Sequence, residues 1–225
     1  MCIRDSSSTV QNNANKYAES SELNKYGARF KYSKFLNIID QSDQAVTSNI
    51  TTVTIRRDLR AALNTFAEYS IGFGNEFYIK SMDGYNIKSS AFKISGIAQD
   101  VYISDIPNTN RIDGSLFLFT VPTASSTTPT IVRRNVGTIN YEKGIITLNP
   151  INVLSGKVKD GQTIIELSAC PVSNDVIGLQ DLYLQLDIST SNFETVVDEV
   201  SSGLDPAASN YIVTSSYANG NLVRS

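Results

Sequence analysis

The stretch Lys25–Leu59, KYGARFKYSKFLNIIDQSDQAVTSNITTVTIRRDL, decides the reading of this chain. Tyr32, Phe35, Leu36 and Ile39 fall at i, i+3, i+4 and i+7, so they share one face of a helix. Lys31, Lys34 and Asn37 take the other side. Burying four such side chains contributes roughly 1.5–3 kcal/mol each before entropy is subtracted. Asp40, Gln41, Ser42 and Asp43 favour turns over helix interiors and end the run. From Ile50 the period changes to two. Val53 and Ile55 face one way, and Thr52, Thr54 and Arg56 the other, which predicts a half-buried strand. The unit carries no catalytic group and suits a protein that holds position against others. Its basic fringe, Lys31, Lys34, Arg56 and Arg57, supplies the candidate partner-facing residues. The plainer alternative is a helix–strand unit whose basic face meets only water.

Working outward, the chain reads as α+β and mainly β, with antiparallel sheets or sandwich-like units, an N-terminal helix and a short C-terminal helix. Residues 9–24 are polar and suit a frayed helix or a linker. Strands are expected at Phe66–Phe73, Glu76–Lys80, Ala91–Ser95, Gln99–Ser104, Ser115–Val121 and Gln162–Ala169. The unbroken apolar run of Ser115–Val121 predicts cover on both faces. Val136–Leu148, VGTINYEKGIITL, is the clearest hairpin, with Gly144 suited to a turn position of positive φ. Met82–Tyr85, Asp113-Gly114 and Lys157–Gly161 read as turns, and 124–129 as an exposed loop. Leu182, Leu184 and Leu186 alternate with polar residues, which predicts a strand over Leu179–Ile188. Ser191 or Asn192 would cap a helix over Phe193–Val200. The division expected is 1–24, an artefact plus polar linker; 25–65, a helix–strand docking region; 66–190, a β-rich body; and 191–225, a short helix with an acidic tail.

The start, Met1-Cys-Ile-Arg-Asp-Ser, has the look of a read-through artefact at the end of an assembled sequence. It lacks the apolar core of a signal peptide. On that reading the chain is the C-terminal piece of a longer protein.

Composition narrows the function classes. Apolar residues make up 41% of the chain, enough for a sizeable core. Charged residues make up 18%, below the usual level of about 25%. No apolar run approaches the ~20 residues of a membrane helix, so no span is expected. The two cysteines, Cys2 and Cys170, make neither a disulfide framework nor a metal quartet. Cys170 reads as a small buried residue. Histidine is absent, which removes Ser-His-Asp and Cys-His arrangements, His-bound zinc and the commonest general base. Ile71-Gly-Phe-Gly-Asn lacks the third glycine and the setting of a dinucleotide fingerprint. The carboxylates Asp100 with Asp105, and Asp181 with Asp187, are available on paper to a glycosidase, but surface turns account for them more simply. Arg56-Arg57 and Arg133-Arg134 suit either anion binding or the guarding of strand edges. No catalytic residue, cofactor or metal is expected. The basic residues lack the density of a nucleic-acid surface.

The net charge of −3 is unevenly placed. From Asp160 onward there are nine acids and one base, Arg224; before it, eighteen bases face thirteen acids. Such a split can steer one copy's tail toward another copy's body, or simply keep a surface soluble.

Three stretches carry a resemblance: Leu23–Leu59, the hairpin Val136–Leu148, and the closing SSYANGNLVRS of Ser215–Ser225. Together they resemble the C-terminal part of a baseplate wedge protein of contractile-tailed bacteriophages, similar to cyanophage-like relatives, over roughly residues 20–225. The resemblance implies a baseplate-J-like structural protein without enzymatic activity. It implies self-association as dimers within a ring around the tail hub, contacts with other wedge subunits, and coupling of baseplate rearrangement to sheath contraction. It places the protein in the virion tail baseplate, and in the host cytoplasm during assembly. The alternative from the residues alone is a β-sandwich adhesin that binds a cell-surface glycan.

Overall fold

Two apolar patterns in this chain collapse onto two separate cores. The computed structural model describes residues 3–121, 128–179, 183–196, 217–218 and 221–222. In chain order the elements are α1 (Ile3–Ala18), β1 (Arg29–Phe30), α2 (Tyr32–Asp40), β2 (Ile55–Arg60), β3 (Ala67–Gly72), β4 (Lys88–Ser89), β5 (Lys93–Ile94), β6 (Tyr102–Pro107) and β7 (Asp113–Thr120). They continue with β8 (Thr130–Asn140), β9 (Ile145–Ile151), β10 (Val153–Ser155), β11 (Lys157–Lys159), β12 (Gln162–Ala169), β13 (Val176–Ile177), a 3₁₀ turn (Ile188–Thr190), β14 (Tyr217–Ala218) and β15 (Asn221–Leu222). The architecture is mainly β, and the strand ladders are antiparallel.

The larger core lies between two sheets. One has the order β3-β9-β8-β7-β6; the other is β11-β12-β2, with β4 also paired to β12. Period-two side chains from both sheets meet inside. Leu116, Leu118, Ile139, Ile146 and Leu148 come from the first, and Leu59, Ile165 and Leu167 from the second. The run in β7 is covered on both faces, as its continuous apolarity predicts. Leu116 and Leu118 enter the core, while Phe117 and Phe119 meet Tyr85 on the opposite side, at ring separations of 5.2 and 5.5 Å. The hairpin β8–β9 pairs Gly137 with Leu148 through Asn140 with Ile145. Gly144 has φ +61°, and a Cβ there would lie 2.0 Å from the carbonyl oxygen of Asn75. Only glycine allows that approach.

The smaller core is helical. Phe35 and Ile39 of α2 are buried, with Tyr32 and Ile38 packed beside them. The apolar face therefore runs through Ile38 rather than Leu36. Lys31 precedes the helix without a side-chain cap. The first free N–H, of Tyr32, instead donates to Asp175 Oδ1 at 2.7 Å, from 143 residues away. A carboxylate there also complements the helix dipole. Val10, Ala14 and Tyr17 of α1 pack against this face together with Leu23, Phe30 and Val176. Val53 and Ile55 lean in from the approach to β2, as their alternation predicts.

Several expectations are corrected. Of the two readings of residues 9–24 the helix holds and the linker does not: α1 runs to Ala18, and Val10, Ala14 and Tyr17, at i, i+4 and i+7, are buried. The strand expected from Ile50 begins at Ile55. Glu76–Lys80 forms only a bridge, Phe77 to Pro171. Asp113-Gly114 starts β7 instead of turning, because both residues pair across to β8. Lys157–Lys159 is a strand, and the turn is Asp160-Gly161, with φ +51° and +74°. Leu179–Ile188 is no strand where it is described: Tyr183 makes one bridge, 184–187 join no ladder, and the Ile188 N–H turns back to the Leu186 carbonyl. The expected C-terminal helix is not formed over 193–196; a 3₁₀ turn stands before it, at Ile188–Thr190, and 197–200 lie outside the described residues. So do 124–127 of the loop and Asp181 and Leu182.

Asp105 is the polar anchor of the larger unit. Its carboxylate is fully buried and accepts from the Ile87 N–H at 2.6 Å, Asn86 Nδ2 at 2.9 Å and Tyr141 Oη at 2.5 Å. Its carbonyl accepts from the Tyr85 N–H at 3.0 Å. The 81–87 loop is thereby pinned to β6. Burial, and then the neighbouring Asp105, pushes the Tyr141 phenol far above its ordinary value. Tyr141→Phe should cost about 1–3 kcal/mol, because a buried carboxylate loses a donor. The sign of its pH dependence follows from the raised folded-state value. The contribution is complete below the unfolded phenol value of about 10, and shrinks as pH rises above it, since only the unfolded chain ionises there. Urea unfolding should therefore show the gap between wild type and Tyr141→Phe narrowing above about pH 10.

Candidate interaction surface

The basic residues singled out in the sequence are mostly engaged within the chain. Lys34 of α2 meets Glu22 at 2.5 Å and lies 6.0 Å from the Tyr17 ring. That hydrogen bond, with the charges of Lys34, Lys25 and Lys31, holds the Glu22 carboxyl below the usual range. Lys31 is exposed at the helix start. Arg57 donates to the Gly72 carbonyl and so ties β2 to the end of β3.

Arg56 sits at the centre of a charge network. Its Nη1 lies 2.8 Å from Asp187 Oδ2 and 3.8 Å from Glu166 Oε1, and its Nε is 3.4 Å from Asp58 Oδ1. Lys157 reaches Glu166 at 2.8 Å, and Lys159 reaches Asp58 at 2.7 Å. The pairing follows from strand register. β2 lies against β12 with Arg56 opposite Ser168 and Asp58 opposite Glu166, and β11 flanks β12 on its other side. Asp187 joins from outside the sheet. Its carboxylate accepts from Ser189 Oγ at 2.6 Å and from the Thr190 N–H at 3.3 Å, capping the 3₁₀ turn. The Ser189 bond, with Thr190 and Arg56 acting the same way, lowers its pKa. The Lys159 ammonium is raised by Asp58.

The predicted contrast between an acidic C-terminal part and a basic body is thus met partly inside one chain, at Arg56–Asp187. The structure does not bring Lys31, Lys34, Arg56 and Arg57 together as one free basic face. It adds an exposed aromatic pair that sequence reading missed: Tyr26 and Tyr183, bridged in the backbone, with ring centroids 4.0 Å apart. The only sequence signal was the abundance of tyrosine.

The other candidates resolve as follows. Asp105 is consumed by its buried network rather than lying in a surface turn. Asp100 is exposed, with Lys93 4.0 Å away. Ile71-Gly-Phe-Gly-Asn closes β3 and turns, with no helix following it. Cys170 is a free thiol of intermediate exposure. Among the described residues no group of three or more Cys, Asp or Glu side chains is placed to hold a metal, and no helix is long and apolar enough to cross a membrane.

Residues 4–58 match the family model described as baseplate structural protein gp6, C-terminal domain III. The matched span contains most of α1, all of β1 and α2, and the first part of β2. It supports a phage baseplate structural protein. No curated protein matches the chain.

Arg56 and Asp187 should be energetically coupled. In a double-mutant cycle of Arg56→Ala and Asp187→Ala, urea unfolding should give a coupling of about 0.5–1 kcal/mol, the upper part of the range for partly exposed pairs. Additive losses would show that the pair contributes nothing measurable.

Proposed function

We propose that this protein is a subunit of the phage tail baseplate wedge. It joins wedges into a ring around the tail hub by self-association as a dimer, and takes part in baseplate assembly and in triggering sheath contraction. The site of action is the virion tail baseplate, reached through assembly in the host cytoplasm. One observation carries the reading: the span that matches the baseplate family supplies most of a packed unit, the α1–α2 core, rather than scattered strands. The absence of histidine, and the burial of Asp105 in a hydrogen-bond network, fit a structural role without enzymatic activity.

Within this reading the docking region is extended to take in α1 as well as 25–65. Lys31, Lys34, Arg56 and Arg57 are the proposed partner-facing residues, with different parts. Lys31 and Lys34 present charge at the start of α2, whereas Arg56 and Arg57 act through the strands they tie together. The partners are other wedge subunits, through polar contacts that steer encounter and fix register. Nucleic acid and a membrane span have no part in this proposal.

Immunogold labelling of intact particles tests the location and should mark the baseplate end of the tail. Unlabelled particles, with no wedge protein retained by the immobilised chain, would remove the assignment. Lys31→Glu should weaken retention of wedge protein several-fold while leaving the unfolding midpoint nearly unchanged.

A further inference from the structure

Three Asp-Gly pairs stand in this chain, Asp83-Gly84, Asp113-Gly114 and Asp160-Gly161. Such a pair carries a latent reaction. The glycine nitrogen can attack the aspartate Cγ, because the glycine has no Cβ to obstruct the approach. The N–Cγ bond forms, and the amide proton and the carboxyl hydroxyl leave together as water. The succinimide ring then takes water back at either carbonyl. One product is aspartate again; the other is isoaspartate, whose main chain is longer because it runs through Cβ and Cγ. No cofactor or oxidant is needed. The rate depends on whether the carboxyl and the N–H are free, and on whether the backbone can bring them together.

The fold treats the three pairs differently. Gly114 is buried in β7, Asp113 and Gly114 pair with Asn140 and Ile139, and the Asp113 carboxylate accepts from Asn140 Nδ2 at 2.7 Å. Gly84 is also buried. Its N–H donates to the Ser81 carbonyl at 3.4 Å, and a Cβ there would lie 2.2 Å from the Asp105 carbonyl oxygen. Asp160-Gly161 is instead the two-residue turn between β11 and β12, with Lys159 opposite Gln162. Both residues have positive φ, +51° and +74°, as such tight hairpins require, and this is a costly conformation for the aspartate. Every residue from Lys157 to Gln162 is exposed, and a Cβ on Gly161 would meet nothing within 4 Å. Among the described residues neither the Asp160 carboxylate nor the Gly161 N–H has a hydrogen-bond partner. β11 is three residues long and stands at the end of its sheet, so it opens at little cost.

We propose that Asp160-Gly161 is a site of spontaneous isoaspartate formation, and that the fold shields the other two pairs. The related pair Asn219-Gly220 lies outside the described residues. The lengthened main chain no longer fits a two-residue turn. β11 loses its register with β12, and Lys157 and Lys159 are drawn away from Glu166 and Asp58. The start of β12 becomes an open sheet edge. The β2–β12 ladder and the larger core lie beyond the turn and keep their contacts.

The test uses the full chain, held at about pH 5, because the carboxyl must be protonated to lose water and its ordinary value is about 3.9. Peptide mapping with electron-transfer fragmentation tells isoaspartate from aspartate. It should find isoaspartate at Asp160 several-fold ahead of Asp83 and Asp113, whereas in urea the three pairs should react at similar rates. Equal rates in the folded chain overturn the assignment. Asp160→Asn gives a second reading at neutral pH, where the same ring closure releases ammonia and a mass shift reports it. Asparagine suits this turn as well as aspartate does, so the fold is kept. Asparagine that persists in the folded chain but is lost in urea means that the turn holds the nitrogen away, and the proposal fails. Hydrogen exchange on the aged protein should quicken across 157–164 and stay unchanged in β7–β9. Unchanged exchange across 157–164 overturns the effect on β11. These experiments involve no other baseplate protein, so their failure leaves the tail assignment standing.

Discussion

The antiparallel pairing of β2 with β12, from Ile55 opposite Ala169 to Arg60 opposite Ile164, holds the two halves of this molecule together. Ile55 packs against both apolar cores, and Leu59 enters the larger one. The next residue, Arg56, takes three carboxylates from three different parts of the chain. Moving β2 by one residue would turn Ile55 and Leu59 outward and carry Arg56 inward, because side chains alternate across a sheet. Both cores and the charge network therefore demand one register.

Polar groups divide the work with apolar ones. Apolar burial supplies most of the drive to fold but specifies direction weakly. Asp105 adds direction, since its buried carboxylate accepts only where Ile87, Asn86 and Tyr141 all present donors. Arg56 does the same at the surface, more weakly, because water competes for its partners. A body anchored by Asp105 thus carries a helical unit on which Leu184, Leu186 and Ile188 also pack.

Local patterns were legible where neighbours in sequence are neighbours in space. The β8–β9 hairpin was read from alternation and Gly144, and α2 from its apolar spacing. The helix α1 stayed one of two readings of a polar segment, because Val10, Ala14 and Tyr17 are few residues to mark a buried face. Leu179–Ile188 reads as a strand because Leu184, Leu186 and Ile188 do pack inward at a period of two, but beyond the Tyr183 bridge the described part finds no neighbouring strand. At Lys157–Gly161 the composition signalled a turn, but only the last two residues make it. Of the candidate surface residues, Lys34 and Arg56 read as free charge because the sequence could not show Glu22 or Asp187 beside them.

The sequence by itself determined a mainly β chain with a short amphipathic helix, no histidine chemistry, and an acidic C-terminal part. Composition and short-range periodicity set those properties, and neither depends on where the elements finally meet. Tertiary structure alone decided that Asp175 caps α2 from 143 residues away, that Asp105 becomes a buried anchor, and that Asp187 answers Arg56. Those pairings depend on sheet register and on how two cores share β2. They are distances across the fold, which no spacing along the chain encodes.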